Sequence, residues 1–160
     1  MEEEQKPFRV LSLDGGGMRG VYQAAYLATY ADRLRNRADT VGDLLDVGSA
    51  FDLIVGTSTG GIVACALVAG VPLQRVQSLY YENGPRIFPY QWLRAKKLPG
   101  YAIRLLGLGL KKGNDALRSA LEETLGERTV DSVYRRRGIA LAIPTVDFNR
   151  HAAVVFKTQH

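Results

Sequence analysis

The chain has 160 residues and a net charge of +5, and 46% of its residues are hydrophobic. This length suits one compact domain, and the composition excludes a wholly disordered chain, a collagen-like repeat and a coiled-coil rod. Cys65 is the only cysteine, which excludes an internal disulfide and a site built from several thiolates. No apolar run approaches the roughly 18 residues of a membrane-spanning helix. Residues 1–7 show no secretory signal and are expected to be a flexible tail, so the sequence predicts a cytoplasmic soluble domain.

The first half of the chain alternates predicted strands with predicted helices. An apolar strand at residues 8–13 runs into a glycine cluster, and a helix follows at residues 21–34. A second apolar strand at residues 51–55 leads into another glycine-rich turn, and helices follow at residues 62–69 and 73–81.

The second half contributes one predicted helix and two predicted strands. Asn114 or Asp115 is expected to cap the helix, and Gly126 to close it. The strands are predicted at residues 139–146 and 154–157. Alternating helices and near-continuous apolar strands predict an α/β fold with a mostly parallel sheet flanked by helices. Because the sequence stops directly after a strand, we expect that the chain is truncated at its C-terminus.

The turn after the second strand carries the pattern Gly-x-Ser-x-Gly, with Gly56, Ser58 and Gly60 lying between a strand and a helix. That context is the one a nucleophilic serine requires, because small residues let the chain turn sharply and expose the hydroxyl. The dipole of the following helix favours negative charge on the serine oxygen. The other residues of this turn are Thr57, Thr59 and Gly61. We therefore predict that Ser58 is the nucleophile of an acyl-transfer reaction.

The turn after the first strand reads Gly-Gly-Gly-Met-Arg-Gly at residues 15–20. It matches a dinucleotide-binding fingerprint literally, but no second strand ends in an acid about 20 residues later, which disfavours a dinucleotide. A phosphate loop at residues 56–61 is excluded, because Ile62 stands where the lysine is required. Glycine amides at a helix N-terminus instead suit the stabilisation of an oxyanion. Arg19 is a candidate either to anchor this loop or to bind a phosphate headgroup, and we expect Asp14 to bind the loop's own amides.

The motif at residues 14–20, followed by Gly-Thr-Ser-Thr-Gly-Gly at residues 56–61, resembles the patatin-like phospholipase family over essentially the whole chain. Members of that family hydrolyse lipid acyl esters with a Ser–Asp dyad. The resemblance implies that Ser58 is the nucleophile and that a phospholipid or another lipid ester is the substrate. It implies an oxyanion loop made of Gly15, Gly16, Gly17, Arg19 and Gly20, with Met18 in the same motif. We expect no cofactor and no metal.

A looser resemblance concerns residues 142–147 and 155–158. These segments are similar to bacterial members of the family, some of which are effectors switched on by cyclic nucleotides. The resemblance therefore implies that a cyclic nucleotide activates the protein.

The general base of the family, an Asp followed by Gly-Gly or Gly-Ala, has no counterpart after Ser58. Asp147 is the last carboxylate but lacks those glycines, while His151 lies in a predicted turn and His160 is terminal. We therefore expect the catalytic Asp beyond residue 160, and the 160-residue chain alone to be a poor hydrolase. The alternative is a catalytically silent lipid- or membrane-binding module with the same fold.

Residues 86–112 contain seven lysines and arginines and no acid, interleaved with aromatic and aliphatic residues. We predict that this basic cap segment covers the edge of the active site and binds an anionic membrane surface, which makes the protein peripheral to the membrane. The composition also fits a solvated cationic loop, or a nucleic-acid surface. A nucleic acid is not the partner that we expect.

Overall fold

Four strands form the central sheet: β1 (Val10–Leu13), β2 (Leu53–Gly56), β3 (Ala140–Asp147) and β4 (Ala152–Lys157). They lie in the order β1-β2-β3-β4 in a computed structural model that describes residues 6–17, 19–37, 45–87 and 110–158. The first three strands are parallel, and β4 pairs antiparallel with β3. The predicted mostly parallel sheet is therefore confirmed, and β2 lies between two parallel neighbours.

The described helices connect these strands and flank the sheet. They are α1 (Arg19–Arg37), a short 3₁₀ helix (Val47–Ala50), α2 (Thr59–Ala69), α3 (Leu73–Ile87), α4 (Leu110–Leu125) and α5 (Val130–Arg137). Of the basic cap segment, residues 86–87 lie in α3 and residues 110–112 lie in α4, while residues 88–109 are outside the described ranges. Residues 1–5 of the predicted tail are outside them as well.

The core is built around α2, which is apolar on all sides and buries eight of its 11 residues. A helix with that composition has no face suited to water and is stable only when surrounded. One face of α2 packs against β2 and β3, where Ile54 and Leu141 are register partners and both are buried. Helices α1 and α3 contact α2 as well. The start of α2 is therefore held from both the sheet and the helical layer.

Several boundaries differ from the sequence prediction. Strand β1 begins at Val10 rather than residue 8, and the exposed Phe8 lies ahead of it. Helix α4 begins at Leu110, ahead of the expected caps at Asn114 or Asp115, although it ends before Gly126 as predicted.

Helix α5 was not predicted. Its N-cap Thr129 accepts a hydrogen bond from the Ser132 amide at 3.2 Å, and Gly138 ends it with φ of 68°. Both end signals are present in the sequence. The sequence of this helix shows almost no apolar periodicity, and in the structure Val133 is its only buried residue. A short polar helix of this kind gives almost no hydrophobic pattern to detect.

Candidate active site

Ser58 lies at the turn between β2 and α2, with its backbone at φ 54° and ψ −122°. Positive φ is uncommon for a residue with a side chain, and such a conformation is disfavoured by about 1–3 kcal/mol. The surrounding structure holds it there: Gly61 donates to the Ser58 carbonyl at 2.9 Å, and Thr57 donates to the Leu13 carbonyl of β1 at 3.1 Å. The predicted sharp turn between a parallel strand and a helix is confirmed, and Ser58 is exposed at its tip.

The glycines on either side of Ser58 are required by close backbone contacts. A Cβ atom on Gly56 would collide with the Gly60 carbonyl, and one on Gly60 would lie 2.6 Å from the Asp14 carbonyl oxygen. A separation that short is not tolerated, so any larger residue would force β2, α2 or the end of β1 to move. Glycine at both positions of the Gly-x-Ser-x-Gly motif therefore allows α2 to begin at Thr59, directly after Ser58.

The glycine loop at residues 15–17 lies directly against this turn. A Cβ atom on Gly15 would lie 2.7 Å from the Thr57 carbonyl oxygen and 2.8 Å from Ser58 Cβ. Because β1 and β2 are parallel neighbours, their C-terminal loops open at the same sheet edge, as predicted from the sequence. Gly16 and Gly17 adopt φ values of 134° and 60°, which residues with side chains rarely adopt. The structure thus brings two of the predicted motifs together.

Backbone donors without a hydrogen-bond partner lie in both glycine-rich turns at this edge of the sheet. The amide N–H groups of Gly15, Gly16, Gly17 and Thr59 form no hydrogen bond to any described residue. Thr59 is the first residue of α2, so its amide also carries the positive end of the helix dipole. Free amides at this position can bind an oxygen atom that acquires negative charge.

A buried tyrosine joins three helices behind the turn. Tyr80 of α3 is 1% exposed, and its hydroxyl donates to the Thr59 carbonyl at 3.3 Å. Gly20 of α1 makes room for it, because a Cβ atom there would lie 2.9 Å from the Tyr80 oxygen. Burial raises the pKa of Tyr80 above its ordinary value, so the phenol remains a proton donor. Nothing in the local sequence pattern pointed to Tyr80.

Replacing this tyrosine tests how firmly the start of α2 is held. We expect Tyr80→Phe to lower the free energy of unfolding by about 1 kcal/mol, because one buried hydrogen bond is lost. The matched control is Tyr81→Phe, in which the neighbouring ring is 72% exposed and the change should have almost no effect. Urea denaturation of both variants is the measurement, and equal losses would contradict a structural role for the Tyr80 hydroxyl.

The loop's anchoring differs from the prediction for Asp14. In the described part of the chain, the Asp14 carboxylate forms no hydrogen bond with the loop amides. The Asp14 carbonyl instead accepts a hydrogen bond from Gln23 Nε2 of α1 at 2.9 Å. A side-chain amide one turn into α1 therefore fixes the loop, and the carboxylate stays exposed. A long-range contact of this type has no signature in the motif itself.

Arg19 lies along the outside of the same loop. A Cβ atom on Gly16 would lie 2.8 Å from Arg19 Cδ, so the arginine stem packs over the Gly16 backbone. The arginine is exposed and has no salt bridge to any described residue. Its position suits both predicted roles, an anchor and a phosphate ligand. Met18, the remaining motif residue, lies outside the described residues.

Asp147 is committed to its own turn at the end of β3. Its Oδ1 accepts hydrogen bonds from the amides of Asn149 and Arg150 at 2.9 and 3.2 Å. Its Oδ2 also lies 3.7 Å from Arg150 Nε. Ser58 forms no hydrogen bond to a carboxylate or imidazole among the described residues. In this structure the Asp147 carboxylate is therefore bound by its own turn and not by Ser58.

Other candidate chemistries find little support in the described part of the chain. Burial raises the pKa of the Cys65 thiol, which disfavours a reactive thiolate. No three His, Cys, Asp or Glu side chains among the described residues come together to hold a metal ion. In the same ranges, no helix has the length and apolar character to cross a bilayer.

The fold and this site define an α/β protein that presents a serine at a strained strand–helix turn, against a glycine loop with free amides. Comparison with known proteins then gives the family. The model of the patatin-like phospholipase family matches residues 11–160, so the chain belongs to that family. The resemblance found in the two glycine motifs is confirmed.

The curated relatives include bacterial and plant proteins. The chain is 34% identical over 153 residues to a cGAMP-activated phospholipase of Pseudomonas aeruginosa, covering 96% of this chain and 40% of that protein. An Escherichia coli protein of the same name is 32% identical over 152 residues, covering 95% and 40%. Patatin-like protein 2 of Oryza sativa subsp. indica is 32% identical over 161 residues, covering 96% and 38%. The chain thus spans about two fifths of the length of these relatives.

Proposed function

We propose that the protein is a lipid acyl hydrolase, of the phospholipase A or lipase type, with Ser58 as its nucleophile. The observation that carries the proposal is the contact between the two glycine motifs: Gly15 lies against Ser58 at the open edge of the sheet. Free amides and a strained, exposed serine at one point are the components of acyl transfer. Membership of the patatin-like phospholipase family supports a lipid ester as the substrate.

In the proposed reaction, Ser58 Oγ attacks the carbonyl carbon of the ester while its proton passes to a general base. The carbonyl oxygen becomes an oxyanion, and the amides of residues 15–17 and of Thr59 stabilise it. One such donor contributes about 3–4 kcal/mol to transition-state binding. On collapse of the intermediate the ester C–O bond breaks and the base gives its proton to the leaving oxygen, so the alcohol departs and an acyl ester remains on Ser58. Water, activated by the same base, releases the fatty acid and restores the serine.

We propose that the base is an aspartate outside this chain, forming a Ser–Asp dyad. The described residues offer Ser58 no such partner, and the acid motif of the family is absent after Ser58. The relatives are long enough to supply a further segment, since this chain spans about 40% of two of them. A neutral serine hydroxyl without a base is a weak nucleophile.

The proposal predicts that fatty acid release requires more than these 160 residues. The protein expressed at the full length of its gene should release fatty acid from phospholipid vesicles, while the 160-residue chain should be nearly inactive. Mass spectrometry of the released lipids is the measurement. Full activity in the 160-residue chain, lost in Asp147→Asn, would show that Asp147 is the base and would contradict a base outside this chain. Vesicle binding without release by either protein would favour a catalytically silent lipid-binding module.

We also propose that the protein acts at a membrane surface, as a peripheral protein, and that a cyclic nucleotide activates it. Support for the activator comes from relatives named cGAMP-activated phospholipase. Adding cGAMP to the full-length assay should therefore raise the rate of fatty acid release. An unchanged rate would remove the activator from the proposal and leave the hydrolase intact.

A further inference from the structure

An aromatic stripe runs along the outward side of α1. Tyr22, Tyr26 and Tyr30 are 72%, 60% and 53% exposed, and they are spaced four residues apart. Residues at that spacing lie on one side of a helix, and the rings of Tyr22 and Tyr26 stack at 6.3 Å between centroids. Single exposed apolar residues are ordinary, but a contiguous exposed patch marks a surface that binds something.

Cations share this side of the helix. Arg33 lies three residues after Tyr30, and Arg37 lies seven residues after it, so both fall on the same face. Both are exposed, and neither forms a salt bridge with any described residue. Asp32 is the only acid in α1, and its carboxylate contacts Arg35 at 3.5 Å. Among the described residues, no carboxylate pairs with Arg33 or Arg37, so the outward side combines aromatic rings with positive charge.

The stripe begins beside the candidate site. Helix α1 starts at Arg19, immediately after the glycine loop, and a Cβ atom on Gly20 would lie 2.9 Å from Thr59 Cβ. Tyr22 is thus within one turn of the loop that contacts Ser58. From Tyr22 to Arg37 the helix extends about 22 Å at 1.5 Å per residue. A ligand surface that contacts α1 along this length would therefore also lie next to the open edge of the sheet, where Ser58 is found.

We infer that this tyrosine–arginine face, consisting of Tyr22, Tyr26, Tyr30, Arg33 and Arg37, docks the protein on an anionic phospholipid surface. Tyrosine rings are stable at the level of lipid headgroups, because the ring is apolar and the hydroxyl is polar. Arginine guanidinium groups bind phosphate oxygens in pairs of hydrogen bonds. The inference rests on the proposed function in one respect: a lipid hydrolase meets its substrate at an interface.

The test measures binding to vesicles in a Ser58→Ala background, so that the lipids stay intact. Full-length protein is sedimented with vesicles of phosphatidylcholine alone, or with vesicles that also contain phosphatidylglycerol. Reversing two charges, as Arg33→Glu with Arg37→Glu, should weaken binding to the anionic vesicles by about 25-fold or more, since each cation near such a surface contributes about fivefold. The matched control is Arg135→Glu with Arg136→Glu in α5, which makes the same change in net charge elsewhere.

A second variant separates docking from general charge. Tyr22→Ser with Tyr26→Ser removes two exposed rings without changing charge, and it should weaken vesicle binding while thermal unfolding stays the same. Equal binding by these variants and the control would overturn the inference. A change in oligomeric mass on gel filtration, with vesicle binding unchanged, would overturn it as well, because the face would then bind a second copy of the chain. Competition by duplex DNA for the same residues would also overturn it.

The two proposals fail in different ways. Fatty acid release from a soluble p-nitrophenyl ester, measured with Ser58 present, should be the same in the α1 variants and in the unmodified protein. Absence of ester hydrolysis together with vesicle binding through this face would refute the proposed function and leave the inference standing. Hydrolysis of soluble esters, with vesicle binding unaffected by the α1 variants, would refute the inference and leave the proposed function standing.

Discussion

Ser58→Ala is expected to lower kcat for fatty acid release by about four to six orders of magnitude in the full-length protein, the range found when one member of a Ser-His-Asp triad is removed. Ser58 is the proposed nucleophile, and the Cys65 thiol is a poor substitute for it because it is partly buried within α2 and its pKa is raised. Binding of substrate should persist, since the free amides of the glycine loop are unchanged. A fluorophosphonate probe should label the unmodified protein and not the variant.

Companion variants distinguish chemistry from stability. Ser78→Ala changes an exposed serine of α3 and should retain both activity and labelling. Ser58→Gly should also be inactive, but it should unfold at a higher urea concentration than Ser58→Ala, because glycine accepts a φ of 54° without the strain imposed on alanine. Undiminished activity of Ser58→Ala would remove the nucleophile from the proposal. Equal stability of the two inactive variants would show that the turn stores no strain.

The parts of the site that could be predicted from the sequence are the turns in which the glycines restrict the backbone to one arrangement. A serine between Gly56 and Gly60, after an apolar strand, has few conformations other than a sharp turn into a helix. The parallel arrangement of β1 and β2 then follows from the intervening helix, and it places both loops at one edge of the sheet. Local sterics and chain connectivity were sufficient for this part of the structure.

The unpredicted parts depend on contacts between residues that are distant in sequence. Tyr80 reaches Thr59 across 21 positions, and its role is decided by how α3 packs rather than by its own neighbours. The carbonyl of Asp14, not its carboxylate, is the anchored group, because Gln23 lies within reach once α1 is formed. The exposure of Tyr26 could not be predicted either, since a tyrosine at helical spacing is equally compatible with a buried position.

Gly15→Ala should have the second largest effect, a decrease of about 100-fold to 1000-fold in kcat with little change in KM. The added methyl group would lie 2.7 Å from the Thr57 carbonyl oxygen and 2.8 Å from Ser58 Cβ, so the loop or the turn must shift. A displacement of about 1 Å at a reacting centre is enough to cost about two orders of magnitude in rate. The loss appears in kcat because the loop amides are proposed to act on the oxyanion, which exists only after attack.

Gly126→Ala is the matched control for this change. Gly126 ends α4 with φ of 67° and has no atom within 4 Å of the position of an added Cβ, so alanine introduces backbone strain without a collision. We expect it to lower the free energy of unfolding by about 1–2 kcal/mol and to leave kcat unchanged. If Gly15→Ala reduced activity only in proportion to its own loss of stability, the glycine loop would be a structural support. If kcat falls while the folded fraction is constant, the contact between Gly15 and Ser58 is what aligns the amides with the serine.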